Sequence, residues 1–171
     1  GEMAASDEII RFACEIKPDV ATLVPEKREE RTTEGGLIVV EREREVGPVV
    51  ARLKAAGIRA CLFINPDPES VRAAALCRAD QVEIHTGRYA DVTGGEREEE
   101  LVRISAAAAE AERLGLVVAA GHGLDYQNSR EICRIGEIVE LNIGHSIIAR
   151  SMFVGIGEAV REMIDVIASE M

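Results

Sequence analysis

Tryptophan is absent from this chain of 171 residues, and aromatic residues make up only 3% of it. Because 47% of the residues are apolar, the core must be built from aliphatic side chains. Aliphatic cores are typical of parallel sheets that helices cover on both faces. Charged residues make up 30%, a proportion that fits a globular protein and argues against a disordered one.

An excess of positive charge is also lacking, since 20 basic residues stand against 31 acidic ones and the net charge is −11. Without a basic stripe, neither a nucleic-acid backbone nor an anionic membrane surface is an expected partner. A small anionic substrate remains compatible, because backbone N–H groups can bind phosphate in an acidic protein. No apolar run approaches the roughly 18 residues of a membrane span, and no signal peptide is visible.

Cysteine pairs of the CxxC type are missing as well. We interpret Cys14, Cys61, Cys77 and Cys133 as small buried thiols in a reducing compartment, not as disulfides or metal ligands, and expect a cytoplasmic protein. The three histidines have no HxxxH spacing, and no cysteine or carboxylate cluster completes a zinc site. The sequence therefore predicts no metal centre.

What the chain does contain is an alternation of short β-branched runs and longer helical patterns. The predicted strands are Asp19–Val24, Arg59–Ile64, Gln81–His85, Leu116–Ala120 and Ile138–Ile143, with a possible sixth at Gly1–Ala4. The predicted helices are Ser6–Glu15, Leu37–Ala56, Glu69–Cys77, Glu96–Leu114, Asn128–Arg134 and Gly157–Glu170. A helix between successive strands makes the strands parallel.

Two α/β architectures fit this alternation: a doubly wound open sheet and a (β/α)₈ TIM barrel. A closed barrel needs eight strands and typically about 250 residues. We therefore expect residues 1–171 to form a single partial TIM-barrel domain that lacks about the first two βα units. A complete open sheet with a short first strand is the alternative.

In either architecture the active site lies at the carboxyl ends of the strands. Glu83 and His85 alternate with apolar residues, so both side chains face the same side of their strand. In a barrel that side is the interior, where a carboxylate needs a partner. The alternative is that the two residues pair with each other, or with a neighbouring strand, for structural reasons.

His122 lies between two glycines just past an apolar strand. Gly121 and Gly123 would let a ligand approach the backbone closely, and a histidine titrates near neutral pH. We expect His122 to act as a general acid or base.

The next strand ends at Gly144 and His145, and a short helix follows at once. Many barrels build a phosphate site from a strand, a glycine and an extra helix N-terminus. We expect Gly123, Gly144 and His145 to donate backbone N–H groups to one phosphate.

The segments KPDVATLVPEKREERTTEGGL (17–37), VEIHTGRYAD (82–91), AAGHGLDYQN (119–128) and ELNIGHSIIARSMFVG (140–155) together resemble the pyridoxine 5′-phosphate synthase family. The resemblance covers essentially the whole chain. It implies a TIM barrel, typically a homo-octamer, that condenses 3-amino-2-oxopropyl phosphate with 1-deoxy-D-xylulose 5-phosphate. Such a transferase of vitamin B6 biosynthesis needs no metal or organic cofactor.

Roles for single residues also follow from the resemblance. It implies that Glu2 and His122 are catalytic, that Glu83 stabilises the transition state and that Thr32 contacts the deoxyxylulose phosphate. It places Gly123, Gly144 and His145 at the aminooxopropyl phosphate. Local sequence alone would make Glu2 a solvated terminal acid.

The sequence departs from the family pattern at two positions, where Ala119 replaces the usual Asn and Gln127 replaces a common His. The family segment before Glu2, which supplies further substrate-binding residues, has no counterpart. Two other hypotheses therefore stay open. One is another phosphate-binding barrel enzyme, such as an aldolase that uses Lys27, and the other is an inactive fragment or partner subunit.

Overall fold

The computed structural model describes residues 1–25 and 35–170. Its strands are β1 (Glu2–Ala4), β2 (Val20–Val24), β3 (Arg59–Ile64), β4 (Gln81–His85), β5 (Val117–Gly121) and β6 (Ile138–Asn142). All five clear strand predictions and the possible sixth are confirmed, with ends displaced by one residue in most cases.

Eight helices are found in the described ranges. They are α1 (Asp7–Ile16), α2 (Glu43–Ala55), α3 (Pro68–Leu76), α4 (Gly87–Asp91), α5 (Gly95–Arg113), α6 (Ser129–Cys133), α7 (His145–Val154) and α8 (Ile156–Ala168). Within these ranges no helix is both long and apolar enough to cross a bilayer.

The six strands form one parallel sheet in the order β1-β2-β3-β4-β5-β6. A doubly wound sheet reverses its strand order at a switch point, whereas this order runs in one direction, as in a (β/α)₈ barrel. The sheet also curls, because Glu2 of β1 and Asn142 of β6 line the same cavity. The predicted parallel α/β fold is confirmed.

Local sequence accounts for several helix ends. The Ser6 hydroxyl accepts from the N–H of Ile9 and so caps α1. Gly57 and Gly115 follow α2 and α5 with φ values of 83° and 76°, a region that glycine enters without strain.

The prediction that α2 begins at Leu37 was wrong, because the helix begins six residues later, at Glu43. The apolar run from Leu37 instead follows the end of β3, where the N–H of Leu37 donates to the carbonyl of Phe63 at 2.6 Å. Gly36 packs directly against the Ile64 backbone, a position that no side chain could occupy. Glu41 then takes a φ of 64°, which delays the helix to Glu43.

The core is aliphatic, as the composition predicts. Its largest fully buried side chain is Tyr89, and the others of this group are isoleucine, leucine and valine. The four cysteines are free thiols, and Cys61 and Cys77 are buried as predicted. The prediction was wrong for Cys14 and Cys133, which are only half-buried. Burial raises the pKa of the Cys61 thiol to about 12, so this group is an inert part of the core.

Candidate active site

A cavity of about 830 Å³ opens at the carboxyl ends of the strands. It gathers six of the seven residues that the sequence nominates: Glu2, Glu83, His122, Gly123, Gly144 and His145. The seventh, Thr32, lies outside the described residues, as does Lys27. Residues that are 120 positions apart in the chain therefore lie close together, because each lies on a parallel strand of the same sheet or directly after one.

Glu83 is buried, with 3% of its surface exposed, and lies on β4 opposite Ala119 of β5. Its carboxylate packs against Gly121, where a Cβ atom would collide with Oε1 of Glu83. We expected Gly121 to let a ligand approach the backbone, but in the structure the Glu83 carboxylate occupies that space. Gly121 leaves space for the carboxylate, and Ala119, the small residue at the departure from the family pattern, borders the same side chain.

His122 has an unusual backbone conformation, with a φ of 82°. A non-glycine residue in this region is strained and persists only where its surroundings hold it. Those contacts come from Thr86, whose hydroxyl lies 2.6 Å from the His122 carbonyl oxygen and 2.8 Å from that of Gly121. The imidazole itself is exposed and lines the cavity. Local sequence gave no signal for Thr86, because the contact joins two different strand ends.

Beside His122 lies His85, whose ring centroid is 5.0 Å away with the planes tilted by 41°. Burial lowers the pKa of His85 from 6.5 to about 4, and the neighbouring His122 acts in the same direction. Asp91 and Glu100 act weakly in the opposite direction. His85 is therefore a neutral imidazole at physiological pH.

The loop after β5 is fixed by a network of short hydrogen bonds. The Asp125 carboxylate accepts from the N–H groups of Gln127 and Asn128 at 2.8 Å. The Asn128 side chain accepts from the Asp125 N–H at 2.7 Å and donates to the Gly123 carbonyl at 3.0 Å. The spacing of Asp125 and Asn128 is a local turn signal from which the sequence could have predicted this loop.

Gly123 cannot carry a side chain in this loop. Its φ is 73°, and a Cβ atom would lie 2.6 Å from the Cβ of Ala90. The close packing against α4 explains this glycine, and it leaves the Gly123 backbone facing the cavity.

Helix α7 directs its N-terminus into the same cavity. Gly144 is its N-cap, and the Gly144 carbonyl accepts from the N–H of Ile148. The first N–H groups of the helix have no partner within it, which makes them donors for an anion. The Ser146 hydroxyl donates to the Leu124 carbonyl at 2.8 Å, so the helix N-terminus is fastened to the loop that bears Gly123.

The charges around the cavity are of both signs. Glu2, Glu83 and Asp125 contribute carboxylates, and Arg150 is the one arginine or lysine among the described lining residues. Its guanidinium forms an ion pair with Glu162 at 2.7 Å. Glu162 balances the Arg150 charge, so the positive end of the α7 dipole is what favours an anion at this side of the cavity. Among the described residues no group of three or more His, Cys, Asp or Glu side chains is placed to hold a metal ion.

Comparison with known families gives a match over residues 2–169 to the model described as Pyridoxal phosphate biosynthesis protein PdxJ. Pyridoxine 5′-phosphate synthase of Xanthobacter autotrophicus is 52% identical over 98% of this chain and 67% of its own length. The enzymes of that name from Geobacter metallireducens and Coxiella burnetii are 48% and 51% identical, over 97% and 98% of this chain and 70% of their own lengths.

Solved structures support the fold at much lower identity. The Amycolatopsis orientalis BexX/CysO complex matches with a TM-score of 0.57 and 16% identity, over 96% of this chain and 61% of that one. A xylose isomerase domain protein of Planctomyces limnophilus matches with a TM-score of 0.53 and 12% identity, over 96% and 69% of the two chains.

Proposed function

The chain belongs to the family of pyridoxal phosphate biosynthesis protein PdxJ, whose curated members are pyridoxine 5′-phosphate synthases, and we propose that the cavity serves their ring-closing condensation. The proposed substrates are 3-amino-2-oxopropyl phosphate and 1-deoxy-D-xylulose 5-phosphate, which give pyridoxine 5′-phosphate, inorganic phosphate and water. The observation that supports this most directly is an exposed imidazole, His122, beside a helix N-terminus suited to phosphate.

We assign the anion site to the backbone at Gly123, Gly144 and His145. The Ser146 contact to Leu124 keeps the α7 N-terminus and the β5 loop at a fixed separation. A phosphate held there would place the rest of the substrate toward His122 and Glu83, which line the same cavity. Holding the reactants in register contributes to the rate by removing the entropy cost of their encounter.

The acid–base steps fall to Glu2 and His122 in this proposal. The substrate amine condenses with the ketone of the sugar phosphate, and the two side chains then move protons through the dehydrations, phosphate loss and ring closure. Each positioned acid or base contributes about 10²–10⁴-fold. Glu83, a carboxylate with 3% exposure, stabilises positive charge that develops on the condensing nitrogen.

The remaining assignments rest on the sequence pattern and on the family. Thr32 contacts the deoxyxylulose phosphate, residues 1–171 act as one partial barrel domain, and the protein works in the cytoplasm as a homo-octamer. Gel filtration with light scattering tests the octamer directly.

Phosphate binding can be tested without an activity assay. We expect inorganic phosphate to shift the amide resonances of Gly123, Gly144 and His145, whereas that of Gly94 stays in place. Gly144→Asp places a carboxylate at the proposed anion site, where a Cβ atom meets nothing within 4 Å. It should weaken phosphate binding about tenfold, which is roughly 1.4 kcal/mol.

Gly136→Asp is the matched control. A Cβ atom there also meets nothing within 4 Å, but Gly136 lies before β6, at the opposite end of the strands. Equal weakening by both variants would show that net charge, and not the proposed site, determines phosphate binding.

The chemistry is tested by following pyridoxine 5′-phosphate formation from the two substrates. His122→Ala should lower the turnover number by about 10²–10⁴-fold. Glu158→Gln, an exposed change on α8, should leave it unaltered. Wild-type turnover in the His122→Ala variant would remove this imidazole from the mechanism.

A further inference from the structure

The proposed acid–base steps do not involve His85, although it is a buried imidazole with an unpaired ring nitrogen at the edge of the site. It is 6% exposed at the carboxyl end of β4, and its Nε2 has no hydrogen-bond partner among the described residues. A buried polar atom without a partner destabilises a fold, because it has lost its water and gained nothing in exchange. A hydrocarbon ring would fill the same space without that cost, so packing alone does not account for an imidazole.

Two other rings lie close to His85. The Phe63 ring meets it edge-on, with centroids 5.1 Å apart and planes at 85°. The His122 ring is equally close, with centroids 5.0 Å apart. Rings with centroids this close have their nearest atoms within a few ångströms of each other, so a rotation of the exposed His122 ring can bring one of its nitrogens toward Nε2 of His85.

Gly87 lies beneath both imidazoles and admits no side chain. A Cβ atom on Gly87 would be 2.7 Å from Nε2 of His85 and 3.0 Å from Cδ2 of His122. The unpaired nitrogen therefore faces the space that the two rings share above Gly87. Thr86, between His85 and Gly87, holds the His122 carbonyl, so one short segment controls both the backbone and the ring of His122.

The charge state of His85 suits an acceptor. Its low pKa, caused chiefly by burial and secondarily by His122, leaves a lone pair on the ring throughout the neutral range. The carboxylates of Asp91 and Glu100 act in the opposite direction and are too weak to restore the proton.

We propose that His85 is a positioning residue for His122, whose ring N–H turns toward the unpaired Nε2 of His85 and is thereby oriented for proton exchange with the substrate. His85 itself does not touch the substrate. The proposal rests on the proposed function in assigning the proton exchange to His122, whereas the contact between the two rings can be tested by itself.

Chemical modification measures the contact without any turnover. The full chain is treated with diethyl pyrocarbonate at pH 7, and the modification rates of His122 and His145 are compared by peptide mass spectrometry. His145 is exposed at the α7 N-terminus and is the internal reference. His85→Phe keeps a ring but removes the acceptor that polarises the His122 imidazole, so the free nitrogen of His122 should react about two- to tenfold more slowly relative to His145, the range for one hydrogen bond of ordinary strength.

Three further variants make the outcome decisive. His85→Gln retains an acceptor and should restore the wild-type ratio. Gly87→Ala inserts a methyl group between the rings and should reproduce the effect of His85→Phe. Ile84→Ala removes buried surface from the opposite face of β4 and should leave the ratio unchanged in spite of lower thermal stability.

Kinetics separate a positioning role from a structural one. In the condensation assay His85→Phe should lower kcat about two- to tenfold with KM unchanged, and His85→Gln should recover it. A modification ratio that stays at the wild-type value in both His85→Phe and Gly87→Ala overturns the proposal. A changed ratio in a protein that makes no pyridoxine 5′-phosphate would instead leave the ring contact intact and refute the proposed function.

Discussion

Acidification should destabilise this fold through His85 in particular. The pKa of His85 is about 4 in the folded chain, against 6.5 for an ordinary histidine. Because the folded pKa is the lower one, the unfolded chain takes up this proton first as the pH falls. The stabilising effect of the neutral, buried form is therefore complete above pH 6.5 and is lost progressively as the pH falls toward 4.

The size of the effect follows from the same two values. Each unit of pKa difference is worth about 1.4 kcal/mol, so His85 accounts for a loss of about 3 kcal/mol between pH 7 and pH 4. For a domain whose total stability is about 5–15 kcal/mol, this is a substantial share. Burial is the principal cause, so the loss should persist in high salt.

Urea unfolding of the wild-type chain and of His85→Phe at a series of pH values measures this contribution. Carboxylates that titrate in the same range affect both proteins alike, so the difference between the two curves isolates His85. We expect the wild-type chain to lose about 3 kcal/mol more than the variant between pH 7 and pH 4. Parallel curves over that range would refute the reasoning, because they would mean that His85 titrates alike in the folded and unfolded chains.

Further predictions concern backbone, hydrogen bonds and thiols. Gly123→Ala should lower the free energy of unfolding by about 2 kcal/mol, since it adds strain at positive φ and a clash with the Ala90 methyl group. Gly115→Ala, at a φ of 76° just after α5 and with open space, should cost only about 1 kcal/mol in the same urea titration. Tyr89→Phe removes a hydroxyl that lies 2.7 Å from both the Asn128 carbonyl and Glu131, and should cost about 1–2 kcal/mol. Cys61 should resist iodoacetamide at pH 8 until urea unfolds the chain, as mass spectrometry would show, and labelling of the native protein would contradict its high pKa.

Periodicity located the strands of this protein, because β-branched runs bounded by turn residues favour strands in any tertiary context. It failed at α2, where Leu37 and Val39 are buried and Ile38 is exposed in a non-helical segment that is hydrogen-bonded to the end of β3. A short apolar run does not distinguish the two conformations, and the decisive contact, Gly36 against the Ile64 backbone, joins residues far apart in the chain. Helix α4 was missed for a related reason, since its five residues are too few to show a helical period.

The site shows the same division between local and long-range information. Glycine turns after successive strands predicted that His122, Gly123, Gly144 and His145 lie close together, because parallel strands end at one edge of a sheet. Glu2 could be nominated only through the family resemblance, since a carboxylate near a chain terminus has no local signal. Its presence in the cavity depends on the curvature that brings β1 near β6.

The sequence by itself determined the elements, their parallel order and most of the side chains at the cavity, because these depend on short-range pattern and on one topological rule. Only the tertiary structure decided how those side chains are held. The Thr86 hydroxyl on the His122 carbonyl, the Ser146 hydroxyl on Leu124 and the neutral His85 ring beside His122 each join separate strand ends. Such contacts depend on distances of a few ångströms between backbones, and only packing of the complete sheet determines these distances.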